Sequence, residues 1–393
     1  MERKNKKIII CILLLFVFIT FVFLFLFIFN NKKEPVVMER KITTYIDRSN
    51  SSVLLDRGGY VIVGSNNHNT YGLEKAKFSM YDDSNNKIIE KVYNKGYNSS
   101  FNSVIKEDNT FIAVGSYEST KNEYSSGTRT ALIVKYDVNG EIIKDNDFQV
   151  ISNSYFKSII SVEDGYIVCG SSSNDTSLYS GAVLIKYDKD LNEIWRKYTG
   201  NNGAIYNDLV FANNVLYLVG VDNNIGILSI YDLDGNLISN HYYPSLNDNG
   251  FSSIITYNDS LYVSTTKYID GYTYGLIINY GFDGSLLKEV RYEKLSNVSF
   301  NKLLLDSNNN IIVVGNTETF NDGEFITDGI IGKYSIDLLE QSVVKYSTNR
   351  NVSFNDIKSI NDKYIVVGDS RKSDYDISSK IFMFSSSLKS LGV

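Results

Sequence analysis

The sequence predicts an all-β chain: one four-strand unit written seven times behind a single apolar N-terminal segment. Three observations carry that prediction. An apolar run ending in an aromatic, often with an aspartate after it, recurs as AKFSMYD, ALIVKYD, AVLIKYD, GILSIYD, GLIINYG, GIIGKYS and KIFMFSS. The aromatics of these runs (Tyr81, Tyr136, Tyr187, Tyr231, Tyr280, Tyr334 and Phe384) stand 44 to 55 residues apart. A second apolar run, such as GYVIVGS, TFIAVGS or YIVVGDS, precedes each copy, and a third precedes that, in FNSVI, FKSII, YNDLV, FSSII, FNKLL and FNDIK. The composition agrees, since 30 Tyr, only 2 Pro and abundant Asn, Ser and Asp in 393 residues favour strands joined by tight turns.

The fourth strand of each unit follows the aromatic and its turn, as in GEIIKDNDF or NEIWRKYT. Four strands in about 50 residues, repeated seven times, predict a seven-bladed β-propeller of four-stranded blades. The apolar runs are nearly continuous, whereas a sheet with one wet face would alternate. Both faces must therefore be covered, as when blades stack radially. A solenoid of single-strand turns would need a shorter period. The last unit stops at SSSLKSLGV, where its fourth strand should begin, and residues 36–47, VVMERKITTYID, read as an orphan fourth strand. The expectation is a propeller over residues 36–393 whose ring is closed by the N-terminal strand 36–47 completing the last blade, with no long edge left unpaired.

Ahead of the propeller, Ile8 to Phe29 is 22 residues without a charge, about 33 Å as a helix and enough to cross a bilayer. A cleavable signal peptide would have a shorter apolar region followed by a small-residue cleavage site. Arg3, Lys4, Lys6 and Lys7 flank the short side, which the positive-inside rule places in the cytoplasm. The sequence thus predicts a cytoplasmic tail over 1–7, a transmembrane signal anchor over 8–29, a linker over 30–35 and a propeller outside the cell. The membrane is a partner through that one helix.

Cys11 lies in the apolar run and Cys169 in a distant strand, so no disulfide framework is expected, and Cys169 reads as a small buried hydrophobe. Residues 1–33 hold six Lys/Arg and one Glu; with the whole chain at −6, residues 34–393 carry −11. An acidic outer domain lacks the cations that neutralise phosphate backbones, so nucleic acid is not an expected partner.

On the apolar strand, the Y-D-x-x-G turn and the strand after it, the chain resembles bacterial extracytoplasmic seven-bladed propeller repeat proteins. It is similar, more loosely, to the quinoprotein-like and kelch-like propellers. The resemblance spans residues 36–393 and implies a fold, not an activity. Trp195 is the only tryptophan, and the kelch double glycine and the Gly-His/Trp-Asp pair are absent, so quinone chemistry is not implied. No cofactor is expected.

In an up-and-down blade the first-to-second and third-to-fourth turns share one face, and here they are short (VEDG, YDVNG, YDLDG). The second-to-third connections share the other face and are long: SNNHNTYGLEK, SYESTKNEYSSGTRT, SSSNDTSLYSG, TTKYIDGYTY, NTETFNDGEFITD and DSRKSDYDISS, with blade four's VDNNI the exception. Loops on a rigid scaffold carry function, and Tyr with Ser, Asn and Gly is the composition of adaptable recognition surfaces. The candidate contacts are Tyr117, Tyr124, Arg129, Tyr179, Tyr268, Tyr272, Tyr274, Phe320, Phe325 and Tyr375. The turn aspartates invite calcium, but the glycine and the closing acid of a calcium loop are missing, and Asp binds the backbone of a tight turn unaided. His68 and His241 are the only histidines and are far apart, so no metal site and no Ser–His pair is expected from them. Asp208 and Asp356 fall at one equivalent first-strand position, where other blades have Ser103, Ser158, Ser253 and Lys302. The functional expectation is a binding or scaffolding module for protein or glycan at the bacterial envelope. The alternative is a carbohydrate-active hydrolase or lyase using channel carboxylates.

Overall fold

The computed structural model describes residues 40–41, 46–67, 73–119, 128–148, 153–173, 180–243, 250–295, 297–321, 323–373 and 376–388. Among them the strands form seven antiparallel meanders. Five are separate four-stranded sheets, while the first and last blades join into one eight-stranded sheet through a parallel bridge between Ile46 and Ile377. The innermost strands are Ile46–Leu54, Ser99–Glu107, Asn153–Val162, Ile205–Ala212, Phe251–Tyr257, Val298–Leu305 and Asn351–Ile360. Each contacts the next, and the last contacts the first. The chain is an all-β, seven-bladed propeller, as its repeat predicts.

The predicted membrane helix over 8–29 lies outside the described residues. Among those described, no helix is long and apolar enough to cross a membrane. Of the predicted closing strand, residues 40–41 and 46–47 are described. Arg40–Lys41 pairs antiparallel with Asp376–Ser385, Arg40 opposite Ile381 and Lys41 opposite Lys380, where a fourth strand of the last blade would stand. Ile46 and Asp47 belong instead to the first strand of blade one.

Every inner strand bulges at the same place. The register slips at Asn50, Asn102, Lys157, Asn207, Ser252, Asn301 and Asn355. The slip brings a carbonyl of the inner strand against the second strand. A Cβ on Gly115 would stand 2.0 Å from the carbonyl oxygen of Ser100, and Gly64, Gly170, Gly220, Gly315 and Gly368 meet the same obstacle in their blades. That approach is the physical reason for the glycine in the recurring second phrase. Blade five has Thr265 there, and its hydroxyl donates to the Gly250 carbonyl at 2.7 Å.

The core lies between blades. Val61, Val63 and Phe78 of blade one pack with Phe101, Leu132 and Tyr136 of blade two; comparable clusters fill five other interfaces, and a smaller one lies between blades seven and one. In blades two, three, four, five and seven the recurring third-strand aromatic meets the first-strand aromatic of its own blade. Centroids are 6.1 Å apart for Tyr136 and Phe101, 6.5 Å for Tyr187 and Phe156, and 6.0 Å for Phe384 and Phe354. Such pairs add about 0.5–1.5 kcal/mol to the burial of their rings. The aspartate after the aromatic fastens the turn. Asp137 Oδ1 accepts the amides of Asn139 and Glu141 at 2.9 and 2.8 Å, and Asp82, Asp188 and Asp232 repeat the arrangement. The amides of Glu141 and Asn139 hold the Asp137 carboxyl below the usual carboxylate range.

Candidate functional site

The bulge decides what each blade presents to the axis. In five blades the bulged residue is Asn, and its side-chain amide reaches across to a carbonyl of the next inner strand. Asn50 donates to Phe101 at 2.7 Å, Asn102 to Phe156 at 2.6 Å and Asn207 to Phe251 at 2.8 Å. Asn301 donates to Phe354, and Asn355 to Ser49, each at 2.8 Å. These amides clasp neighbouring blades around the ring. Blade five has Ser252 at this position and blade three has Lys157.

The residue after the bulge lines the narrow channel. Asp208 accepts hydrogen bonds from Ser158 Oγ at 2.9 Å, Ser253 Oγ at 2.8 Å and the Ile254 amide at 3.2 Å, and pairs with Lys302 Nζ at 2.7 Å. Burial, the largest single influence, opposes its charge, but the Lys302 ammonium and the Ser253 and Ser158 hydroxyls together hold the Asp208 carboxyl below its ordinary range. Asp356 Oδ2 accepts the Ser52 amide at 2.7 Å and the Ser52 hydroxyl at 2.9 Å, and pairs with Lys358 at 3.0 Å. Asp208 and Asp356 therefore act as couplings between inner strands. A depressed carboxyl such as Asp208 is no proton donor at neutral pH.

On the long-connection face, between blades one, two and three, a cleft of about 480 Å³ opens towards this ring. Its wall is polar: Asn98, Ser100, Asn102 and Ser116, with the rings of Tyr117 and Tyr155. Its two acids are engaged within the protein. Glu74 accepts from Arg48 Nε at 3.2 Å and Ser65 Oγ at 2.6 Å. Glu118 accepts from Arg129 and from the Asn98 amide, both at 2.9 Å. Lys157 lines both cleft and channel. Its ammonium sits 5.5 Å from the Tyr155 ring centroid and makes no ion pair among the described residues. Burial, and then repulsion from Arg129, pull its pKa below the ordinary lysine value. A second cleft, of about 250 Å³, lies between blades six and seven and includes Glu318, Asp369 and Arg371.

Of the residues chosen from sequence, Tyr117 and Arg129 come together in the first cleft. Tyr117 donates to Asp147 at 3.1 Å with Lys95 Nζ 5.4 Å from its ring centroid. The connections of blades five and six, read from sequence as loops, are extensions of their strands into hairpins. Tyr268 faces Thr273 and Ile269 faces Tyr272 around Asp270 and Gly271, both left-handed at φ 51° and 89°. Tyr268 and Tyr272 are exposed, whereas Tyr274 is half-buried beneath the Arg291 guanidinium at 5.1 Å. Phe320 and Phe325 pair across the blade-six hairpin with centroids 5.0 Å apart, each 65% exposed. Tyr124, Tyr179 and Tyr375 lie outside the described residues. His241 does meet a serine, Ser239 Oγ at 2.9 Å, but on the outermost strand of blade four, away from both clefts.

Sequence reasoning missed Lys157 and Tyr155, although FKSII beside FNSVI already displayed the departure at position 157.

No protein-family model matches the chain, and no curated protein does. Among solved structures it is similar to Sqt1 from Chaetomium thermophilum, at 10% identity and TM-score 0.47, over 89% of this chain and 100% of that one. It is also similar to the Dos1 propeller, at 9% identity and TM-score 0.49, over 88% of this chain and 94% of that one. A luciferin-regenerating enzyme matches at 11% identity and TM-score 0.43, over 91% of this chain and 98% of that one.

Proposed function

We propose that the chain is a membrane-anchored, extracytoplasmic binding or scaffolding module that engages a protein or glycan at the bacterial envelope through the long-connection face of its propeller. The carrying observation is the contrast between the faces. One bears tight turns whose aspartates are tied to their own backbone. The other bears the 480 Å³ polar cleft and the projecting aromatic hairpins.

Strand direction supports the same reading. Arg40–Lys41 runs antiparallel to Asp376–Ser385, so the chain enters that blade from the tight-turn side. That direction supports an anchor over 8–29 on the tight-turn side, with the cleft facing away from the bilayer. The channel carboxylates invoked by the hydrolase alternative are already engaged by Ser158, Ser253, Lys302, Ser52 and Lys358.

The test is capture from envelope extract and on a glycan array by the detergent-solubilised full chain, beside a variant with residues 120–127 and 319–326 shortened. Ligands held by the parent and lost by the variant are expected. Equal capture by both would remove the long-connection face from consideration.

A further inference from the structure

We infer that the cleft between blades one, two and three is a subsite for one negatively charged sugar unit, whose anionic group is received by Lys157. The inference rests on the binding reading above and deepens it by naming a ligand class.

The argument begins with the ring of bulges. The geometry at that position is the same in every blade, and five blades fill it with an Asn that clasps the neighbour. A lysine there gives up the clasp. The carbonyl it would have bound, that of Tyr206, receives the weak Cys169 thiol donor at 3.8 Å instead. A repeat protein that breaks its own pattern at a cost in stability does so where function requires it.

What the substitution supplies is a half-buried cation with no counter-charge among the described residues, in a cleft whose acids are occupied by Arg48, Ser65, Arg129 and Asn98. A desolvated ammonium without a partner attracts an anion far more strongly than one in bulk water does. The rest of the wall suits a sugar. Asn98, Ser100, Asn102 and Ser116 offer amide and hydroxyl groups, and Tyr117 and Tyr155 offer rings. The volume and the single cation without an ion partner limit the site to one charged unit of a longer glycan.

The experiment is calorimetric titration of the full chain in detergent with a glucuronic-acid disaccharide, its neutral methyl ester, a disaccharide phosphate and a hexaglutamate peptide. We expect one or both charged sugars to bind at least tenfold more tightly than the methyl ester. Lys157→Asn installs the residue that five of the other blades use, so it should fold and melt no lower than the parent while losing that preference. Lys157→Arg should keep it within a few-fold. The uronate and phosphate arms distinguish the two sources of charge.

Equal binding of acid and ester, or unchanged binding by Lys157→Asn, would overturn the inference while leaving a glycan-binding face intact. Binding of hexaglutamate alone would overturn it in favour of an acidic protein segment. Binding of nothing would overturn it too, and envelope capture would then decide separately whether the broader reading survives.

Discussion

The interface that closes the ring, between blades seven and one, differs in kind from the interface between blades two and three. The latter has a broad apolar core, in which Ile112, Val114, Ile133 and Phe148 meet Phe156, Val168, Ile185 and Tyr187. The closing interface keeps a small apolar patch of Tyr60, Ile62, Tyr81, Ile365, Val367 and Ile381. Around it stand groups that belong on a surface. Where the other blades put a first-strand aromatic, blade one has Ser49, hydrogen-bonded to Ser379. The Ser49 amide donates to Asp369 at 3.0 Å, and fully buried Lys77 pairs with Asp47. Neighbouring blades elsewhere are linked by a short connection and find each other locally. Blades seven and one come from opposite ends of the chain, so nothing local fixes their register. Directional polar contacts specify a register where greasy ones would only adhere.

Removing the closing strand tests this most severely. Deleting residues 36–45 should give the largest fall in melting temperature of the series, because the third strand of blade seven then becomes an open edge. A melt within a few degrees of the parent would show that this strand fastens nothing. Next in size, Phe156→Ala should cost about 3–5 kcal/mol in chemical denaturation, as a large cavity in an apolar seam does. Asp47→Asn should cost a similar amount, about 3–5 kcal/mol, for the opposite reason: it strands the Lys77 ammonium in a dry site. The sharper version replaces both partners. Asp47 Oδ2 has no hydrogen-bond partner among the described residues, so Asp47→Leu with Lys77→Met should be close to neutral in stability. If that pair instead unfolds the domain, the polar seam is needed for more than register.

Smaller effects follow from the clasps. Asn102→Ala gives up one inter-blade hydrogen bond, about 1 kcal/mol, whereas Asn355→Ala gives up one to Ser49 of blade one and a second to Asp369 within its own blade, about 2 kcal/mol together. Matched denaturation curves would read the difference. A further effect is one of pH. Burial pushes the Asp369 carboxyl up to about 6 from 3.8, against the pull of the Ser49 amide, Arg48, Asn355 and Lys77. A carboxyl raised in the folded state contributes its stability in full below its unfolded value and loses it as pH rises through about 6. Melting temperature should therefore fall between pH 4 and 6.5 in the parent and fall less in Asp369→Asn.

The propeller was legible because its determinants are periodic and local. The aromatic at Tyr136 and its equivalents recurs in all seven blades, the second-strand glycine in six and the turn aspartate in four, and each has one physical task. The hairpins of blades five and six were legible in principle. YIDGYTY and TFNDGEF both set an Asp-Gly pair between strand-forming residues, a recognised hairpin signal, but their length made them read as loops. The cleft was not legible. Tyr117, Tyr155 and Lys157 come from two blades, and position 157 acquires meaning only once the bulge shows what Asn does there. The polar closing seam was hidden for the same reason, since Asp47 and Lys77 are 30 residues apart and look like surface charges.

The bulge on the inner strands has a consequence for how such a molecule changes over generations. It separates the residue that faces the ring from the aromatic that holds the blade, and it does so at one address in each of seven modules. A single codon at that address can exchange a fastening amide for a charge, as blade three has done, without disturbing the neighbouring packing. The ring therefore behaves as a seven-character inscription on a fixed frame, in which each character can be rewritten alone while the architecture stays put.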